Sequence, residues 1–495
     1  MNTLDPLVRR HDLTITPDPH RVLVRPFTPS LEVKPGASSE PSPRILSLFA
    51  RVMMLTDEEV NRKLDEVLSE FQGRHEHIRE IFRTRFAQIR PLIPSDRFLD
   101  ESRQLLLGSY FINEYSFEST ALFNPSIVPA PGNPIENGTC RFILSLRAVG
   151  EGHISSITFR TGVVEADGTV RLDPISRFVH SPQPIPAAQY NLAIFRRKLR
   201  ELGIAPETVK IATEGLPESF VMQDLVNKVK RLRAGDVSYE VLWAGELALI
   251  TAQANYTVRF DEGTDISSRV LFPYAPAESN GIEDARFVRF IDDDGSTCYY
   301  ATYTAYDGNV VLPQMLETHD FLEFSICTLN GPAVKNKGMA LFPRRINGQY
   351  AMLGRQDSEN IHIMFSDYLH FWYESEILLR PSEPWELVQL GNCGPPIETP
   401  EGWLILTHGV GPMRKYSIGA ALLDRDNPRR VIKRLRDPLL RPAPEEREGY
   451  VPNVVYSCGG MIHNDMLILP YAISDTASRI ATVQVRDLLD AMQPV

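Results

Sequence analysis

The sequence predicts an all-β fold, a five-bladed β-propeller carrying an N-terminal helical extension and a helical insertion. Three observations lead there. A hairpin-like unit recurs in "NPIENGTCRFILSLRAVG" (133–150), "VRFIDDDGSTCYYATYTAYDG" (288–308), "ALFPRRINGQYAMLGRQ" (340–356), "PPIETPEGWLILTHGV" (395–410) and "SCGGMIHNDMLILPYA" (457–472). Turn pairs at Asp294-Gly295, Asn347-Gly348 and Glu401-Gly402 punctuate these units, and Asx-Gly is a strong short hairpin signal. The first 115 residues have a different, helical texture. A sandwich built from the same strands is the alternative architecture.

Within residues 1–115, "RVLVRPF" (21–27) reads as a short strand and "VKPGASSEPSP" (33–43) as a loop. "TDEEVNRKLDEVLSEF" opens with Thr56 and has Glu59 three residues on, a capping-box pattern. Val60, Leu64, Val67, Leu68 and Phe71 follow at helical spacing, and "HIREIFRTRFAQI" continues as a second amphipathic helix. This region is expected to serve packing or homo-oligomer formation. Residues 116–495 form the expected propeller domain, interrupted at about 187–235 by a helical insertion. Its basic runs, "FRRKLR" and "NKVKRLR", suit either an anion patch or a helix face in water, and the solvated face is the expected reading.

Composition narrows the function. The chain has 495 residues, 43% hydrophobic and 23% charged, with 38 prolines and 30 glycines, as expected of a loop-rich globular protein of more than one domain. A net charge of -11 argues against nucleic acid or an anionic membrane as a partner. Five scattered cysteines without a CxxC pair read as reduced thiols. With no signal-peptide pattern and no apolar run of membrane length, the cytoplasm is the expected location. The sequence holds no HExxH and no Walker-type loop, so neither a catalytic metal nor an organic cofactor is expected.

Polar residues gather where inner strands would end: Asn124, Ser126, Arg147, Glu283, Asp284, Arg286, Tyr306, Asp307, Lys337, Arg355, Glu398, His408, Tyr416, Asn453 and Asp475. Each has a bland reading. His408 alone suits a core histidine, Asp475 a turn, and Asp284 with Arg286 an ion pair at a strand entrance. Together they form a set of carboxylates, bases and aromatics that a merely structural propeller has little reason to hold.

The motifs "GIEDARFVRF … YYATYTAYDG", "ALFPRRINGQYAML", "GNCGPPIETPEGWLILTHGV" and "YVPNVVYSCGG" resemble glycoside hydrolase family 130, from about residue 120 to the C-terminus. The resemblance implies a five-bladed propeller that cleaves β-mannosides with inversion, through β-mannoside phosphorylases or β-mannosidases. Ala285 stands where the family motif has proline. By resemblance Asp284 is the general acid, its proton relayed through a mannose hydroxyl in the phosphorylases, with Glu283 and Arg286 orienting it or holding the sugar. Asn124, Ser126, Arg147, Asp307, His408, Tyr416 and Asp475 match positions lining the sugar or anion pocket.

The choice of nucleophile turns on the phosphate-binding cations. Lys337 and Arg355 match two basic positions of the phosphorylases, but Glu398 occupies a third. A carboxylate there would repel phosphate, and it suits the general base of an inverting hydrolase, which sits roughly 6.5–9.5 Å from the acid. The expectation is therefore a hydrolase acting on β-1,2-linked manno-oligosaccharides, with Glu398 as base and Glu359 as second candidate. The alternatives are a phosphorylase releasing mannose 1-phosphate, with inorganic phosphate as co-substrate, and a non-catalytic carbohydrate-binding propeller.

Overall fold

The computed structural model describes residues 5–29, 42–132, 138–185, 189–308 and 311–495. The turn of the first expected hairpin and most of the 33–43 loop lie outside the described residues. Two compact units emerge, one of residues 1–18, 118–175 and 181–495, the other of residues 19–117 and 176–180.

The larger unit is mostly β. Ala121–Pro129, Cys140–Val149 and Ser155–Val164 form an antiparallel run. A single parallel pairing, Ser155 with Gly281, joins it to a second run of Gly281–Ile291, Thr297–Tyr306, Val311–Thr318 and Glu323–Thr328. Lys337–Leu341, Tyr350–Arg355, Ile361–Ser366 and Glu376–Leu379 make the next sheet. Gln389–Asn392 and Ile397–Thr399 both pair with Gly402–Val410, which is followed by Tyr416–Leu423 and Val431–Arg434. In the last sheet, Met466–Ile473 and Ala477–Gln484 are completed by Arg9–Ile15. The first strand therefore belongs with the C-terminal sheet, whereas sequence reasoning grouped it with the helical extension. Its "RRHDLTI" is partly exposed along its length and carries only a faint alternation.

Three of the strands that open these runs share one irregularity. Register shifts fall between Phe123 and Ser126, between Glu283 and Arg286, and between Lys337 and Ala340. At the first two, Asn124 (φ 49°) and Asp284 (φ 56°) adopt the left-handed conformation. Asn and Asp tolerate it better than most residues. A bulge re-aims a side chain that regular pleating would direct elsewhere, and here it concerns the residues expected to do chemistry.

Apolar side chains between the sheets supply the core, with Trp372 and Trp403 fully buried. The helical insertion comprises Leu192–Glu201, Pro206–Ala212, Met222–Ala234 and Tyr239–Gln253, and so runs past the expected limit of 235. The last helix carries apolar residues on most of its circumference; one side is buried, while Tyr239 and Trp243 are exposed. It helps form a private core with Phe195, Leu199, Leu225 and Val229. The expected solvated basic face is only partly so, because Lys198 is buried.

In the smaller unit, helices Pro43–Met54, Asp57–Phe71, Ile78–Ile89 and Glu101–Ser109 accompany a hairpin of Val22–Pro26 with Ile112–Ser116. The Thr56–Glu59 capping box is present, with both hydrogen bonds formed. Among the described residues, no helix is long and apolar enough to cross a membrane.

Candidate active site

Arg286 is the hub. Its buried guanidinium donates to the carbonyls of Gly338 (3.2 Å) and Asn392 (2.9 Å) and to the Tyr456 hydroxyl (2.6 Å). One side chain thus fastens strands from four places in the chain. Nearby, the Ser126 hydroxyl accepts from the Phe287 amide at 3.0 Å, and the Cys458 amide donates to the Pro125 carbonyl at 2.8 Å. Ser126, expected to bind substrate, is fully buried and serves this strand junction.

Beside the hub lies Asp284. The Asn124 amide donates to its Oδ1 at 2.6 Å, and Arg147 reaches the same oxygen at 3.4 Å. Arg147 also donates to Glu283 at 2.8 Å, and Lys337 stands 3.7 Å from the other Glu283 oxygen. Burial pushes the Asp284 carboxyl up, but Arg147, Lys337, the Asn124 bond and Arg286 outweigh it and hold it below the ordinary aspartate value. Asp475 goes the other way. Burial first, then the Asp284 charge, push it up to about 6, against the pull of Arg147 and Arg414.

Two cavities open on this cluster. One is narrow and cationic, lined by Asp284, Arg286, Lys337, Arg355, Tyr303 and Tyr456. Arg355 approaches His408 Nε2 at 3.2 Å, and among the described residues it has no carboxylate partner. Burial, then the charges of Arg355 and Arg286, push His408 well below the usual histidine value. Its ring is therefore neutral, and because a guanidinium can only donate, Nε2 is the acceptor and Nδ1 carries the proton. The Tyr416 ring stacks on it at 6.0 Å. The second cavity, about 360 Å³, is lined by Arg147, His153, Asn280, Glu283, Tyr306, Tyr450 and Asp475, among others.

Eight expected site residues line neither cavity: Asn124, Ser126, Asp307, Glu359, Glu398, His408, Tyr416 and Asn453. Asn453 sits in a turn and accepts from Arg447 at 2.6 Å. Glu359 is exposed in the turn after Arg355. Glu398 is held by Arg344 through two bonds (2.7 and 3.0 Å) and by Arg425 at 3.3 Å. Its register partner is Trp403, whereas His408 lies five residues farther along the same strand, roughly 17 Å at strand spacing. The proposed general base is therefore corrected: Glu398 secures a hairpin end, and its charge is neutralised where it stands. Asp307 follows Tyr306 at a strand end and lines neither cavity.

Several site residues escaped the sequence reading. Tyr456 and Asn392 lie inside quoted motifs, but nothing in the sequence ties them to Arg286. Tyr450 opens the quoted "YVPNVVYSCGG" without a signal of its own, and His153 and Asn280 come from loops without a pattern. A separate group, Cys298, Glu317 and His319, brings potential ligand atoms within 4.8 Å of one another at the end of two paired strands.

The sequence model of one family, described as β-1,4-mannooligosaccharide phosphorylase, matches residues 239–494, more than half of the chain. The chain belongs to glycoside hydrolase family 130. Family members similar to it include a 1,2-β-oligomannan phosphorylase of Thermoanaerobacter sp., 36% identical over 219 residues, or 43% of this chain and 71% of that protein. A β-1,2-mannobiose phosphorylase of the same organism is 36% identical over 229 residues, covering 43% and 70%. A solved structure of the Listeria innocua β-1,2-mannobiose phosphorylase with β-1,2-mannobiose aligns over 75% of this chain and 92% of its own, at 22% identity and a TM-score of 0.45. This member of family 130 is an enzyme of a family that acts on β-mannosides.

Proposed function

We propose that the protein is an inverting β-mannoside phosphorylase that cleaves β-1,2-linked manno-oligosaccharides and releases mannose 1-phosphate. The observation that carries this reading is the pairing of Lys337 and Arg355 with Asp284 around one cavity, while Glu398 is bound to Arg344 and Arg425 elsewhere. A dianion needs such cations, and a hydrolase would need a base that neither cavity supplies in the expected place. Both close relatives are named as phosphorylases of β-1,2-linked mannosides, which favours the same substrate class here.

In this reading a phosphate oxygen attacks the anomeric carbon as the glycosidic C–O bond breaks, and Asp284 supplies the proton that ends on the departing oxygen through a sugar hydroxyl. The cavity of about 360 Å³ takes sugar, with Tyr306 as a wall. Phosphate enters the narrower cavity, where Lys337, whose side chain is 40% exposed, is the member able to swing aside. The sheets form five blades in this proposal. The bulged strands stand innermost, and Arg9–Ile15 closes the ring onto Ala477–Gln484.

Incubation with β-1,2-mannobiose, with and without inorganic phosphate, tests it. Phosphate-dependent formation of mannose 1-phosphate is expected. Free mannose formed at the same rate without phosphate would restore the hydrolase. An Arg355→Met variant should raise the KM for phosphate by roughly tenfold or more, in line with loss of a charge-assisted contact.

A further inference from the structure

The helical insertion leaves a second site unexplained. Between its first helix, the end of Tyr239–Gln253 and the strand Glu323–Thr328 lies a cavity of about 420 Å³ that shares no lining residue with the two catalytic cavities. We infer that this cavity binds a small hydroxylated anion, of the sugar-phosphate or sugar-acid class, through the Lys198 ammonium and the Thr328 hydroxyl.

Charge is the first reason. Among the described residues that line the cavity, Lys198 is the cation and none is an aspartate or glutamate. Its ammonium has three N–H donors, and one is spent on the Leu329 carbonyl at 2.7 Å. The carboxylate that influences it, Glu201, already takes the Gly331 amide at 2.9 Å and faces Arg197 at 3.4 Å. Burial without a close counter-ion draws Lys198 down to about 8. An anion at that position would relieve the cost.

Unmet hydrogen bonding is the second. Thr328 is 4% exposed, and its hydroxyl oxygen is buried with no partner. Buried polar atoms left unpaired are costly, and a ligand hydroxyl is a suitable partner. The walls are also fixed before any ligand arrives. Tyr190 donates to the Ala252 carbonyl at 2.8 Å, and Tyr256 donates to Glu278 at 3.0 Å. Their rings offer flat apolar faces of the kind that pyranose C–H groups cover, and preorganised walls cost little to bind against. The volume lies within the about 300–1,000 Å³ common for small-molecule sites.

The plain alternative is that Lys198 only pins the insertion to Leu329. Calorimetric titration of the full chain with mannose 6-phosphate, mannonate, inorganic phosphate and neutral mannose separates the two. One equivalent of mannose 6-phosphate or mannonate is expected to bind, at least tenfold weaker in Lys198→Met, about threefold weaker in Thr328→Val, and unchanged in Arg355→Met. Affinity should also fall between pH 7 and 9 as Lys198 loses its proton. Whichever anion binds tighter identifies the charged group that is read. The inference is overturned if neither sugar anion binds, if a folded Lys198→Met binds like the parent, or if Arg355→Met abolishes the binding. Binding of neutral mannose or of bare phosphate that Lys198→Met weakens to the same degree as the sugar anions would overturn it as well. Should Lys198→Met fail to fold, Thr328→Val and the pH series still decide.

Discussion

Asp475 stands close enough to Asp284 that its ionisation costs more, and the cations around the two carboxyls divide their help unequally. The bare site leaves Asp284 ionised, which is the wrong state for a general acid. Phosphate resolves this in the proposed mechanism. A dianion against Lys337 and Arg355 offsets the charges that hold Asp284 down and adds a negative neighbour, so its affinity for a proton rises. The alkaline limb of the pH–rate profile should therefore move upward between low and saturating phosphate. A limb that stays fixed would count against Asp284 as the acid. Asp475 gives a cleaner stability test. Its folded value of about 6 lies above the ordinary 3.8, so its contribution is fully present below the lower value and lost as pH rises through the upper one. Asp475→Asn should gain on the parent between pH 4 and 7, by about 2–3 kcal/mol at most, in denaturant melts. Glu398→Gln, by contrast, should keep turnover within a few-fold and cost about 1 kcal/mol or less, since its partners are half in water. A loss of turnover of a hundredfold or more would bring back the general base.

Single strands are held to function by their irregularities. The bulges at Asn124 and Asp284 bring those two side chains together, and the glycines near the hub permit close backbone approach. Gly394 is the tightest case. Its φ is 104°, and a Cβ there would meet the Cys458 carbonyl at 2.2 Å. Gly394→Ala should cost about 1–3 kcal/mol from backbone strain alone, more with the clash, read as a lowered denaturant midpoint. No such loss would mean that the strands near Cys458 are not tightly packed. The bulges were not legible beforehand. Asn-Pro and Asp-Ala are ordinary dipeptides, and a bulge is defined by a partner strand far away in sequence. The hairpin turns were legible, because Asp294-Gly295 and Asn347-Gly348 encode their conformation locally. So was the helix of Asp57–Phe71, whose capping box lies within four residues.

The larger unit depends on a pairing between its ends. Arg9–Ile15 covers an edge of the sheet that holds Ala477–Gln484, an edge that would otherwise present unpaired backbone groups. Removing residues 5–18 should lower the melting temperature by at least about 5 °C and promote association at that edge. An unchanged melt and a monodisperse protein would show that the strand is dispensable.

What the sequence alone determined is what is local or motif-borne: a mostly β chain, its hairpin turns and the family. The tertiary structure decided the rest. Glu398 looked catalytic because a charge in one dimension has no partners, yet Arg344 lies 54 positions away and claims it. Lys198 looked solvated for the same reason, and the fold buries it. Whether a carboxylate is a base or a brace depends on which distant cations reach it, and only the folded chain sets those distances.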